Sequence, residues 1–309
     1  MIPYLHHAAH TPAPATAAQL QLADELKRDV VMLATEIGPR GVFAPQAYKT
    51  AEVFLTTALT RAGHGVRRQT WTTRGVECAN LEAVLRGTDR PSRVLVVGAH
   101  FDSVPGCPAA NDNASGVAGV LAIARRLAGR PRACTVRLVL FANEEPPFFN
   151  HNEMGSQFYA QSARKSGDDI IGMFCLETIG CYSSDPGSQR WAVQVPLVSL
   201  PDRGDFIAMV GPSSAAAFIR RCTQAFERRR AFSVLGAGVP AFISEQVNWS
   251  DHRGFNEVGY PALMVTDTAP LRYQHYHAET DTPDKLDYLS MARVVEGILG
   301  VIEKVADEG

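Results

Sequence analysis

Apolar residues in this chain follow two rhythms, a helical spacing near 3.6 residues and short unbroken runs, and the two take turns. Leu20, Leu22, Leu26, Val30, Leu33 and Ile37 recur close to helical spacing, and Gly38-Pro39 closes that run. A second helix is predicted over residues 45–63, with Ala47, Ala51, Phe54, Leu55 and Leu59 facing inward. Residues 66–73 and 79–85 alternate and are rich in β-branched and aromatic side chains, which predicts two strands of a hairpin. From residue 94 the pattern becomes strand, helix, strand, helix. The runs 94–99, 136–142 and 170–176 are almost continuously apolar, as expected of strands covered on both faces. Helices are predicted at 115–128, 155–165, 213–230 and 289–305, and further strands at 207–210 and 262–266.

This alternation predicts an α/β fold, a three-layer sandwich with a mainly parallel, mixed central sheet flanked by helices. No internal repeat or linker-like tract divides the chain. Residues 1–18 read as a loose N-terminal arm and residues 19–309 as one catalytic domain.

Composition narrows the function classes. The chain has 309 residues, 46% apolar and 20% charged, enough for a sizeable core. A net charge of -2 argues against an electrostatic nucleic-acid binder, and Arg228, Arg229 and Arg230 read as a solvated helix end. No stretch approaches the length of a membrane helix. The opening MIPYLHHAAHTPAPATAA lacks the basic and apolar regions of a secretory signal, so a cytoplasmic location is expected. Cys78, Cys107, Cys134, Cys175, Cys181 and Cys222 are scattered without a CxxC pair and read as buried free thiols. His6, His7 and His10 fall on the arm and are read as solvated rather than metal-binding.

The chemistry lies at the ends of the strand runs. His100, Asp112, Glu145, Glu177 and His277 bring imidazole and carboxylate groups to successive strand or loop ends, and ligands in open α/β sheets bind beyond the carboxyl ends of the strands. This nitrogen and oxygen set suits zinc. Glu144 and Glu145 are adjacent carboxylates that repel unless a cation neutralises one. Glu144 then stands where a general base for an activated water is needed. Asp102, two residues beyond His100, can orient the imidazole. Glu177 ends an apolar run, where a carboxylate needs a partner. Together these residues point to a zinc-dependent hydrolase of peptide-like amides.

The segments GAHFDSV, NDNASGVAG, FANEE with MGSQFYA, NWSDHRGF followed by GYPALMVTDT, and YHAETDTPDKLDY resemble the zinc aminopeptidase family that includes glutaminyl cyclases and glutamate carboxypeptidases. They span roughly residues 78–305 in family order. The resemblance implies two metals bridged by Asp112, one completed by Glu145 and His277 and the other by His100 and Glu177. It further implies Glu144 as general base, Asp102 as the orienter of His100, a cis Asp112-Asn113 peptide, and Asp251 as a substrate-contacting acid. Tyr276 resembles the aminopeptidases, since the cyclases favour Trp before the His ligand, and its hydroxyl is a candidate for stabilising the oxyanion.

Two features depart from the pattern. Many relatives carry Asp where this chain has Glu177, and an insertion, PPFFNHNE, occupies residues 146–153. Phe148 and Phe149 could wall a pocket there, with His151 or Glu153 reaching into it; a local surface elaboration is the alternative. The expectation is an exopeptidase, foremost an aminopeptidase, using one or two zinc ions on a peptide or small amide. A glutaminyl-cyclase-like acyltransferase, a carboxypeptidase or amidohydrolase of a small modified amide, and a non-catalytic binding relative are the alternatives.

Overall fold

The computed structural model describes residues 4–191, 200–240 and 247–308. Among the described residues nine strands form one sheet: β1 (Tyr4–Ala8), β2 (Val66–Thr73), β3 (Val76–Leu85), β4 (Arg90–His100), β5 (Cys134–Phe141), β6 (Asp169–Glu177), β7 (Phe206–Pro212), β8 (Ser233–Val239) and β9 (Ala262–Thr266), in the order β1-β8-β7-β9-β6-β4-β5-β3-β2. The sheet is mixed. Its middle, β9-β6-β4-β5, is parallel throughout, whereas β3, β2 and β1 add antiparallel edges and β7 runs antiparallel to β9.

Helices α1 (Ala17–Val31), α2 (Pro45–Arg61), α3 (Gly116–Leu127), α4 (Gly155–Lys165), α5 (Ala216–Arg229), α6 (His252–Glu257), α7 (Ala269–Arg272) and α8 (Tyr288–Glu308) connect the strands. The first core contains Leu26, Leu55, Val117, Phe226 and Ile298, drawn from α1, α2, α3, α5 and α8. Tyr159 and Phe255 bring α4 and α6 to the second, where they meet Val96, Val139 and Met173 of the strands. Burial on both sides is why the central strands read as unbroken apolar runs. Among the described residues no helix is long and apolar enough to cross a membrane.

Three differences from the sequence expectations have physical causes. Residues 4–8 are not a loose arm: β1 pairs antiparallel with β8, and His6 meets Glu227 at 3.0 Å. Residues 1–3 of that arm and Gly309 lie outside the described residues. Helix α1 starts at Ala17 because Thr16 and Gln19 form a reciprocal capping box, and its end unwinds into a π-turn over Met32–Ile37. Strand β8 leaves no apolar run in the sequence, because Gly236 and Gly238 interrupt it. A Cβ on Gly236 would lie 2.3 Å from Thr223 Oγ1, so this strand needs glycine to pack against α5.

Candidate metal centre

Four parallel strands open their carboxyl ends on one edge, and the sequence-predicted residues gather there. His100 is the last residue of β4 and Glu177 the last of β6, while Glu144 and Glu145 follow β5. Asp112 lies in the turn entering α3, and His277 in the loop between α7 and α8. Nε2 of His100 is 3.3 Å from Asp112 Oδ1, 3.2 Å from Glu177 Oε2 and 3.8 Å from Glu144 Oε2. Nε2 of His277 is 3.0 Å from Asp112 Oδ2 and 3.4 Å from Glu145 Oε2. The ligand atoms of His100, Asp112 and Glu177 lie within 4.8 Å of one another, as do those of Asp112, Glu145 and His277. Asp112 belongs to both triads and turns one oxygen to each.

The donor set fits a cation better than a hydrogen-bonded cluster. Both ring nitrogens of His100 are buried without a hydrogen bond, although carboxylate oxygens surround them, and Oε1 of Glu145 is likewise unpartnered. Glu144, Glu145, Glu177 and Asp112 are all buried. Burial, reinforced by neighbouring carboxylates, holds Glu144 and Glu145 well above the usual carboxylate range, and burial also raises Glu177. Burial opposes charge on His100 and Asp112 as well. Glu177 and Glu144 nevertheless raise His100 far above an ordinary imidazole, and the close imidazoles of His100 and His277 lower Asp112. A cation supplies what this crowding of buried carboxylates lacks.

Surrounding groups hold the loops in place. Asp281 accepts the backbone N–H groups of Asn111 (2.8 Å) and Asp112 (3.1 Å) and the Tyr273 hydroxyl (2.7 Å), tying the His277 loop to the Asp112 turn. Asn113 donates to the Leu176 carbonyl and to Glu177 Oε2, and accepts from the N–H of Gly116 and Thr178. Ser250 donates to Glu177 Oε2 at 2.6 Å, so the longer side chain that departs from the Asp pattern is pinned from two sides. At Gly116 a Cβ would fall 2.3 Å from the Leu176 carbonyl oxygen, and only glycine lets α3 start this close to β6. The buried Arg40 guanidinium donates to the carbonyls of Leu33, Gly38, Phe101, Pro108 and Ala109, bracing the segments that follow His100 and precede Asp112. In the sequence Asp281 stands out only as one of the acids in YHAETDTPDKLDY, and Ser250 only within NWSDHRGF. Arg40 left no signal in the sequence beyond its place after Gly38-Pro39.

Backbone strain concentrates on the same edge. Asn143 (φ 59°), Thr178 (φ 52°) and His277 (φ 57°) adopt the left-handed conformation beside Glu144, beside Glu177 and at a candidate ligand. Such conformations cost on the order of 1–3 kcal/mol each and persist where surrounding structure enforces them. The Asp112-Asn113 peptide is cis.

The other predicted residues fall as follows. Asp102 lies 3.5 Å from His100 Nδ1, but its hydrogen bonds go to the backbone N–H groups of Glu144 (3.0 Å) and Glu145 (3.1 Å). Tyr276 stacks on the His277 ring at 3.9 Å, and burial, with Asp112 and Glu177 nearby, raises its phenol. Asp251 is fully buried with both oxygens unpartnered, and burial pushes it up to about 7. His275 contacts Thr280 at 2.8 Å and belongs to neither triad. In the insertion, Phe148 is buried and Phe149 half-buried. His151 and Glu153 are exposed, and Glu153 accepts a hydrogen bond from Thr73 of β2. All six cysteines are free.

Comparison with known proteins agrees with this geometry. The sequence pattern of peptidase family M28 matches residues 80–302. The chain is 34% identical over 308 residues to the uncharacterized protein YfbL of Escherichia coli K12, covering 97% of this chain and 92% of that one. A probable zinc metalloprotease of Pyricularia oryzae is 27% identical over 248 residues, 72% of this chain and 48% of its own length, so the chain spans about half of that fungal protein. BSAP, a zinc aminopeptidase from Bacillus subtilis, superposes with a TM-score of 0.73 at 13% identity, covering 93% of this chain and 95% of that one. Tannerella forsythia glutaminyl cyclase gives 0.67 at 21% identity, with 91% and 98% covered. The last two likenesses concern the fold. The match over residues 80–302 places the chain in peptidase family M28, and the His and carboxylate triads fit zinc as its metal.

Proposed function

We propose that the chain is an aminopeptidase that removes N-terminal residues from peptides at a two-zinc centre. The carrying observation is Asp112, whose two oxygens face two separate triads while Glu144 stands beside both. His100, Asp112 and Glu177 would hold one ion, and Asp112, Glu145 and His277 the other. Bound zinc supplies a Lewis acid that makes water nucleophilic near neutral pH and polarises the scissile carbonyl.

The remaining work belongs to the chain. Glu144 takes a proton from the attacking water and delivers it to the leaving amine, so the proton count closes within one turnover. Its backbone N–H, held by Asp102, fixes the carboxylate at the strand end. The Tyr276 hydroxyl, in a half-buried ring stacked on His277, donates toward the developing oxyanion. Asp251 contributes a buried carboxyl to the substrate side of the pocket. The reading takes residues 19–309 as a single catalytic domain acting in the cytoplasm on peptides.

A glutaminyl cyclase on the same scaffold is the second reading, favoured by the superposition on that fold. Tyr276 and the paired triads support the peptidase instead. Glu144→Gln is expected to retain zinc, by elemental analysis, and to lose about 10²–10⁴-fold in turnover, the usual worth of a general base. Near-normal turnover in that variant would remove Glu144 from the mechanism.

A further inference from the structure

Beside the centre, the loop at residues 39–44, the turn at 103–106 and the start of the insertion enclose a cavity of about 90 Å³. Val42, Phe43, Pro105, Pro146 and Phe148 give it apolar walls. Arg40, Asp102, Ser103 and Glu145 add polar lining, so one wall is a member of the Asp112, Glu145 and His277 triad. Phe148 is buried, whereas Phe43 at the rim is 55% exposed. The two rings stack at 6.4 Å, and the Arg74 guanidinium covers them at 5.5 and 5.8 Å, fixing the aromatic wall from outside. A preformed apolar cavity with exposed aromatic surface at its rim, sharing a wall with a catalytic centre, is where substrate side chains bind.

We infer that this cavity receives an aliphatic side chain of the substrate residue next to the scissile bond, a reading that rests on the proposed peptidase activity. Volume sets the class. An apolar cavity of about 150 Å³ accepts benzene, so by proportion 90 Å³ holds about three to four carbons. Val, Leu and Ile fit; Phe and Trp do not. Two of the walls, Pro146 and Phe148, come from the 146–153 insertion, so that segment sets specificity rather than merely elaborating the surface.

The test is a peptide series with Ala, Leu or Phe at each residue flanking the bond, on the zinc-loaded wild type and two variants. Val42→Phe fills the cavity and is expected to lower the Leu-to-Ala ratio of kcat/KM by at least about 10-fold, with zinc content retained. Phe148→Ala enlarges it and is expected to raise the Phe-to-Leu ratio about 10-fold; a single methylene in such a pocket changes discrimination by about 10- to 200-fold. Ratios unchanged in both variants would overturn the assignment. Calorimetric titration of the same peptides into the Glu144→Gln protein, and into that protein carrying Val42→Phe, separates the two claims. If the wild type cleaves no peptide, the peptidase reading fails. A Leu preference in binding that Val42→Phe abolishes would still support the cavity, and equal binding of all three would overturn it.

Discussion

At the scale of single residues, the centre depends on buried polar groups whose partners are loops rather than solvent. Asp281 shows how this works: one carboxylate collects two N–H groups from the Asp112 turn and one hydroxyl, and it stands four residues from His277. Asp281→Ala is expected to weaken zinc binding by about 10–100-fold, the usual effect of losing a group that orients a ligand, measured by chelator competition. His252 offers a separate titration. Burial pushes its imidazole down to about 4 from 6.5, and Nε2 donates to the Val247 carbonyl at 2.7 Å. Its neutral form is favoured in the fold, so its contribution is complete above pH 6.5 and is lost as pH falls through that value toward 4. His252→Gln, which retains an N–H donor but cannot titrate, is expected to flatten the acid limb of the stability curve by roughly 3 kcal/mol by pH 4. Denaturant titrations from pH 7 to 4 give the comparison, and parallel curves for the two proteins would show that His252 does not titrate on unfolding.

At the scale of elements, the sequence announced what is periodic and concealed what is held by packing. The runs feeding His100, Glu145 and Glu177 were legible because strands buried on both faces leave unbroken apolar stretches, and each ends in a side chain too polar for its surroundings. The glycines of β8, the pairing of β1 and the positions of Arg40 and Ser250 were not legible. They depend on contacts between segments far apart in the chain, which local pattern does not encode. Asn80 of β3 is such a contact. It donates to the Gly155 carbonyl (2.8 Å) and accepts the Ala142 N–H (3.1 Å), locking the start of α4 to the segment that leads into Glu144. Asn80→Ala strands the buried Ala142 N–H, while the Gly155 carbonyl keeps its partner within α4, and is expected to cost about 1–3 kcal/mol, read from the urea midpoint. A loss below about 0.5 kcal/mol would mean that the lock carries little of the stability.

At the scale of the whole molecule, a mixed sheet gathers chemistry from distant parts of the chain onto one edge. Its four parallel strands deliver His100, the Glu144-Glu145 pair and Glu177, while the loop before α8 closes over them with His277. Membership of peptidase family M28 agrees with that arrangement, and the type of exopeptidase chemistry is the claim to test. The most direct measurement is mass spectrometry of a defined mixture of free, N-blocked and Gln-initiated peptides, incubated with the zinc-loaded protein and with its Glu144→Gln variant. The account predicts stepwise loss of N-terminal residues from the free peptides alone, abolished in the variant. Loss of ammonia from Gln-initiated peptides, with the other free peptides left intact, would contradict it and assign the centre to cyclisation.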